Sequence, residues 1–186
     1  MKDKIALVDL DGTLFDTNEI NYYSYKEALE KEKFNNFNYN YFVKYCNGKS
    51  YTDFLPQFTN NADNEIIERI HNNKKKNYKK YLGKAKENIA LVNLLNSIKS
   101  EYYLALVTTA SYENTMEILN YFKLNNFFDL VITSKDCKLK KPNPEGFLRA
   151  LKHFNITKEK AIVFEDSEVG IKAAKAAGIA TFAVCK

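Results

Sequence analysis

Between residues 88 and 184 the chain switches repeatedly between helix-spaced segments and short apolar runs. The spacing predicts helices over 88–100, 112–121, 144–153 and 167–177. Strands are predicted over 103–108, 129–133, 160–164 and 180–184. Runs such as Leu130-Val131-Ile132 and Ala161-Ile162-Val163-Phe164 are continuous rather than alternating. That is the pattern of strands covered on both faces. A further apolar run opens the chain and predicts a strand over 5–11. Alternating strands and helices imply an α/β fold, a Rossmann-like parallel sheet with helices on both faces.

The stretch from about Thr17 to Lys86 has a different character. It is rich in Asn, Tyr, Phe and Lys, with helical spacing in Tyr22, Tyr25, Ala28 and Leu29 and again in Ile66, Ile67, Ile70 and Tyr78. The expected division is therefore a core domain of 1–15 and 87–186 and an inserted helical domain of 16–86.

In open parallel sheets the ligand sits beyond the carboxyl ends of the strands. Here each such end carries polar chemistry. The first leads into Asp9 and Asp11, the next into Thr108-Thr109-Ala110-Ser111, and the last into Glu165-Asp166-Ser167. Past the 129–133 strand comes Lys140-Lys141-Pro142-Asn143-Pro144, opening a helix. Ser111 and Ser167 also stand where helix N-caps would.

Asp9 and Asp11 are two residues apart, so on a strand they would emerge on one side. Carboxylates held together repel unless a cation or a shared proton compensates, which predicts a metal site, an acid–base site or both. A plain turn is the bland alternative. A calcium loop fits poorly, because Leu14 and Phe15 are apolar and Ile20 stands where a closing Glu would be needed.

Other features narrow the class. The net charge is +5, much of it in Lys74-Lys75-Lys76, Lys79-Lys80 and Lys138 to Lys141. Arginine is nearly absent, so a solvated helix face and a small anionic substrate are expected rather than nucleic acid. Neither a long apolar stretch nor a signal-like leader is present, predicting no membrane span and no secretion. Cys46, Cys137 and Cys185 are scattered and odd in number, as in reduced cytoplasmic proteins.

Four ordered motifs carry a resemblance. They are Asp9-Leu10-Asp11-Gly12-Thr13, the threonine after the second strand, Lys141-Pro142-Asn143-Pro144, and Glu165-Asp166-Ser167 with Gly170. Together they closely resemble the haloacid dehalogenase-like (HAD) superfamily across essentially the whole chain. The insert after the first strand is similar to the helical-cap branch, which includes sugar-phosphate phosphatases and β-phosphoglucomutase.

The resemblance implies that Asp9 is a nucleophile forming an aspartyl-phosphate and that Asp11 is the proton donor and acceptor. It implies Mg²⁺ held by Asp9, the backbone carbonyl of Asp11, Glu165 and Asp166. Thr109 and the N–H of Ala110 would hold phosphate oxygens, with Thr109 preferred to Thr108 by the Thr-x-Ser pattern. Lys141 would neutralise phosphate and keep Asp9 ionised; the Pro-x-Pro after it selects it over Lys140. Ser111 and Asn143 are further candidates at the phosphate pocket, though Asn143 also reads as a turn residue. In the cap, Gly48, Lys49 and Lys74 resemble substrate-contacting positions, with surface lysines as the equal alternative.

Two departures bear on the reaction. Asn21 stands where the mutase has its linker histidine, and Tyr51 where the mutase has a cap arginine. His71 and His153 lie elsewhere. Hydrolysis is therefore expected over phosphomutation. Dehalogenation would not require Asp11, and a phosphonatase would need a Schiff-base lysine such as Lys49. The expectation is a Mg²⁺-dependent phosphomonoester hydrolase acting on a small sugar or polyol phosphate. Its partner would be that small molecule, and the chain would be a cytoplasmic monomer, with a dimer left open. The alternatives are a sugar-phosphate mutase and a phosphate-metabolite binding module without turnover.

Overall fold

The computed structural model describes residues 2–185. The chain divides into two compact units: Thr17–Ala85 forms one, and the segments on either side of it form the other.

In the two-segment unit, β1 is Lys4–Val8, followed by β2 at Phe15–Asp16 and β3 at Lys86–Glu87, which pair antiparallel as a small ribbon. The main strands that follow are β4 (Tyr102–Val107), β5 (Leu130–Ile132), β6 (Ala161–Glu165) and β7 (Ala180–Ala183). With β1 they form a five-stranded sheet in the order β5-β4-β1-β6-β7 among the described residues. Every pairing in it is parallel. The Rossmann-like expectation holds.

β1 lies between β4 and β6, so the chain builds outward from it in both directions. A crevice opens beyond the carboxyl ends of strands at such a switch point. The register puts Val8 level with Leu106 on one side and Phe164 on the other. Residues just past these positions are therefore brought together.

The unit's helices are α5 (Ile89–Ile98), α6 (Tyr112–Tyr121), α7 (Glu145–Phe154) and α8 (Glu168–Ala176). Ile5, Leu7, Val107, Phe147, Val163 and Ala173 are buried in one core cluster. Sheet positions that share a face meet the apolar stripes of α7 and α8 there, which explains the continuous apolar runs. Ser111 and Ser167 cap α6 and α8, accepting from Asn114 N and Gly170 N. Asn155 ends α7 in the left-handed conformation at φ 53°.

One boundary differs from expectation. The first strand stops at Val8 rather than at residue 11. Asp9 N still donates to Phe164 O at 3.0 Å, but Leu14 and Phe15 N–H both return to Leu10 O. The loop thus closes on itself, and Asp9 and Asp11 are set by that closure rather than by strand alternation.

The unit Thr17–Ala85 contains α1 (Asn18–Lys31), α2 (Tyr39–Tyr41), α3 (Tyr51–Phe54) and α4 (Asn64–Asn77). A π-helical turn covers Phe42–Cys46, and 3₁₀ turns cover Leu55–Phe58 and Tyr78–Lys84. Its core is aromatic: Tyr22, Tyr25, Phe37, Phe42, Phe54 and Phe58 are buried with Ile67 and Ile70. The rings of Tyr22 and Phe37 stack at 5.3 Å, and Phe37 meets Phe58 edge-on at 4.9 Å. Such pairs add directional attraction to plain burial. Asp63 caps α4, its side chain accepting from Ile66 N.

Cys46, Cys137 and Cys185 are free thiols. Among the described residues, no helix is long and apolar enough to cross a membrane.

Candidate active site

At the centre of the sheet the Lys141 ammonium meets three acceptors. Nζ donates to Asp9 Oδ1 at 2.6 Å, to Glu165 Oε2 at 2.8 Å and to Val107 O at 2.9 Å. An ammonium has three N–H groups, so its donors are fully used. The acceptors come from the ends of β1, β6 and β4 respectively. One buried lysine therefore ties three adjacent strand tips together, while its Nζ also lies 5.1 Å from the centre of the Phe147 ring.

The site is shielded from water. The side chains of Lys141 and Asp9 are 8% and 10% exposed, and that of Glu165 is 0% exposed. Burial pushes the Asp9 carboxyl up to about 7, against the pull of Lys141 and with help from Glu165 and Asp11. For Lys141, the neighbouring Asp9 and Glu165 outweigh burial and raise its pKa, so it stays protonated.

Asp166, next in the chain to Glu165, bonds a different partner. Thr13 Oγ1 donates to Asp166 Oδ1 at 2.8 Å. Gly12, at φ +94°, passes so close that a Cβ there would lie 2.2 Å from Asp166 Oδ2. Only glycine fits both that conformation and that approach. Asn88 steadies the same loop by donating from Nδ2 to Thr13 O and from its backbone N–H to Leu14 O. Ligand oxygens of Asp9, Glu165 and Asp166 lie within 4.8 Å of one another. Two of these three carboxylates share the Lys141 ammonium and the third bonds Thr13, and a divalent cation suits that excess of negative charge and the all-oxygen donor set.

Of the paired threonines, Thr108 is buried and its Oγ1 accepts from Ala110 N at 3.0 Å, whereas Thr109 is exposed. The Ala110 N–H therefore already has a partner within the loop. Ser111 donates to Asn114 Oδ1 as well as capping α6. Asn143 Oδ1 accepts from Glu145 N at 3.0 Å, the behaviour of a turn residue opening α7. Asn143 nonetheless lines a cleft together with Thr109, Thr133, Ser134 and Lys141. Lys140 is exposed.

The remaining candidates belong to the Thr17–Ala85 unit. Gly48 is in the left-handed region at φ +80°, and Lys49 is exposed. Lys74 Nζ lies over two rings, 5.3 Å from that of Tyr25 and 4.9 Å from that of Tyr78. Tyr51 stacks on His71 at 3.7 Å and donates to Glu68.

Sequence reasoning did not foresee the part taken by Val107 O, Thr13 Oγ1 or Ser167 Oγ, which donates to Glu165 Oε1 at 2.7 Å. A main-chain acceptor such as Val107 O has no residue signature. The threonine following Asp-x-Asp-Gly was a signal that its partner, Asp166, makes intelligible only in three dimensions.

The haloacid dehalogenase-like hydrolase family matches residues 6–184. A phosphorylated carbohydrates phosphatase of Thermotoga maritima is 30% identical, over 94% of this chain and 81% of its own. The pyrophosphatase PpaX of Halalkalibacterium halodurans is 28% identical, over 99% of this chain and 84% of its own. Among solved structures, CbbY from Rhodobacter sphaeroides in complex with phosphate aligns with a TM-score of 0.86 at 22% identity, covering 100% of this chain and 87% of that one. A HAD hydrolase of family IA, variant 3, from Entamoeba histolytica gives 0.85 at 23%, covering 98% and 84%. At such identities the structures speak for the fold alone.

The chain belongs to the haloacid dehalogenase-like hydrolases. It is an enzyme of that family, on the phosphatase side where its named relatives fall.

Proposed function

We propose that the protein is a Mg²⁺-dependent phosphomonoester hydrolase acting on a small phosphorylated metabolite of the sugar or polyol phosphate kind. The observation that carries this reading is the buried Asp9 carboxylate gripped by Lys141 at 2.6 Å, beside Glu165 and Asp166. A group meant only to hold phosphate has no use for a desolvated carboxylate at its centre, since two anions repel. A nucleophile does.

In this reading an Asp9 carboxylate oxygen attacks phosphorus and the ester oxygen leaves, taking a proton from the Asp11 carboxyl. Water then attacks phosphorus of the aspartyl-phosphate, giving its proton to Asp11, and inorganic phosphate departs. Lys141 offsets negative charge that builds on the transferred group. Thr109 contributes a hydroxyl to the phosphate oxygens. Asp9, Asp166 and the carbonyl of Asp11 would hold Mg²⁺, which when bound neutralises and orders the phosphate oxygens.

The Thr17–Ala85 unit would be the cap that selects the substrate and excludes water, with Gly48, Lys49 and Lys74 as its candidate contacts. The cytoplasm and a single chain are the proposed setting. The relative named for phosphorylated carbohydrates favours a sugar phosphate. Several relatives are named as pyrophosphatases, which makes pyrophosphate the second reading. Asn21 and Tyr51, in place of the mutase histidine and arginine, argue for water as the acceptor.

Release of p-nitrophenol from p-nitrophenyl phosphate with Mg²⁺ tests the class. Asp9→Asn should abolish it while circular dichroism stays unchanged. Appreciable residual turnover would refute the assigned nucleophile. A panel of sugar phosphates, polyol phosphates and pyrophosphate, read by released phosphate, then separates the two substrate readings.

A further inference from the structure

We propose that Glu165 is a positioning residue for Lys141 and not a ligand of the divalent cation. The inference rests on the phosphatase reading above and concerns how its cationic group is held.

Glu165 and Asp166 are adjacent acids, and the fold sends their carboxylates to different partners. Asp166 goes to the Gly12-Thr13 loop. The Glu165 carboxylate lies within the protein, 0% exposed. Its Oε1 accepts from both Ser167 N at 3.1 Å and Ser167 Oγ at 2.7 Å. Its Oε2 accepts from Lys141 Nζ at 2.8 Å. A carboxylate oxygen has two lone-pair directions. Both at Oε1 are used, as is one at Oε2.

The remaining flank of Oε2 is closed by the first turn of α8. A Cβ added to Gly170 would lie 1.9 Å from Oε2 and 2.5 Å from Oε1. The helix backbone therefore presses against the carboxylate, leaving little room for a metal's coordination shell. The main chain is pinned as well, since Glu165 O accepts from Val184 N at 2.9 Å. Oxygens of Asp9, Glu165 and Asp166 do fall within 4.8 Å of one another. Closeness of that order also arises when one lysine gathers two carboxylates, and the direct contacts decide between the two accounts.

The consequence concerns the chemical step. When Asp9 is esterified it loses its negative charge, and its hold on Lys141 weakens. Glu165 and Val107 O keep the ammonium in place through that change. The lysine then presents a fixed charge to the phosphoryl group throughout turnover.

The test compares Glu165→Gln with Asp166→Asn. Gln keeps the shape and the acceptor for Ser167 but loses the charge. Mg²⁺ binding to each folded protein is measured by calorimetry, alongside kcat and KM. Glu165→Gln should leave the Mg²⁺ dissociation constant within about threefold and lower kcat by about 10²-fold with KM little changed, an interaction realised only in the transition state. Asp166→Asn should weaken Mg²⁺ at least about tenfold, as loss of a charged oxygen ligand does. The double variant Glu165→Gln/Lys141→Met should lose no more activity than Lys141→Met alone, because the two residues act as one unit.

Weakening of Mg²⁺ by Glu165→Gln as severe as that by Asp166→Asn would overturn the proposal. Failure of either variant to alter Mg²⁺ binding, with Asp166→Asn fully active, would instead count against the metal reading itself.

Discussion

Lys141 holds the Asp9 carboxylate at 2.6 Å from the far side of 132 residues of sequence. The pair forms because β1 is the central strand and the loop before α7 returns the lysine to its tip. Both groups are desolvated, so each depends on the other for its charged form, while Glu165 supports the charge on Lys141 and opposes that on Asp9.

Lys141→Met tests that dependence. It leaves Asp9 and Glu165 buried without their cation, and removing one member of a buried ion pair costs about 3–5 kcal/mol. The loss should be greatest near neutral pH and smaller in mild acid, where the orphaned carboxylates can take up protons. Chemical denaturation of both proteins across that range would measure it. An unchanged unfolding midpoint would show that the grip contributes nothing.

Acid–base behaviour of Asp9 yields a second expectation. Its carboxyl is pushed up to about 7, so the folded, metal-free protein binds this proton more tightly than the unfolded chain does. The unfolded carboxyl ionises first. This group's contribution is therefore most favourable at low pH and declines as pH rises from the ordinary carboxylate range to about 7. Mg²⁺ requires the ionised form, so its binding should release a proton below that pH. Affinity should fall by about tenfold per pH unit there and level off above it. Calorimetry in buffers of differing ionisation enthalpy reads the released proton directly; binding with no proton release at pH 6 would contradict the assignment.

Gly12→Ala should be disproportionately harmful for a surface-loop change. The φ of +94° and the 2.2 Å approach to Asp166 Oδ2 both exclude a methyl group. Backbone strain of this kind costs about 1–3 kcal/mol. Displacement of Asp166 should weaken Mg²⁺ binding as well. Thermal melts and metal titration together would detect both effects, and a variant unchanged in both would disprove the loop's role.

The strands and helices of the two-segment unit were legible because each apolar run is short, continuous and separated by a helix-length segment. β5 at Leu130–Ile132 and β6 at Ala161–Glu165 lie within a residue of where periodicity put them. The end of β1 is not legible because Leu10 is as apolar as the strand before it, and only the turn at Gly12 reveals that the ladder stops at Val8.

At the candidate site, the residues with ionisable side chains announced themselves; how they pair did not. Glu165 and Asp166 look alike as adjacent acids, and their division between Lys141 and Thr13 arises from the first turn of α8 and from Gly12. The motif offers the Ala110 N–H to a phosphate oxygen, whereas in the fold it donates to Thr108 Oγ1. That hydrogen bond depends on the local turn geometry, which the identity of Thr108 does not specify.

The central claim is that Asp9 accepts a phosphoryl group. Rapid quenching of the enzyme during turnover, followed by borohydride reduction, converts an aspartyl-phosphate into homoserine at its position in the chain. Peptide mass spectrometry should find homoserine at position 9, dependent on both substrate and Mg²⁺ and absent from Asp9→Asn. Trapped homoserine at another carboxylate, or a phosphorylated histidine or serine in its place, would contradict the account.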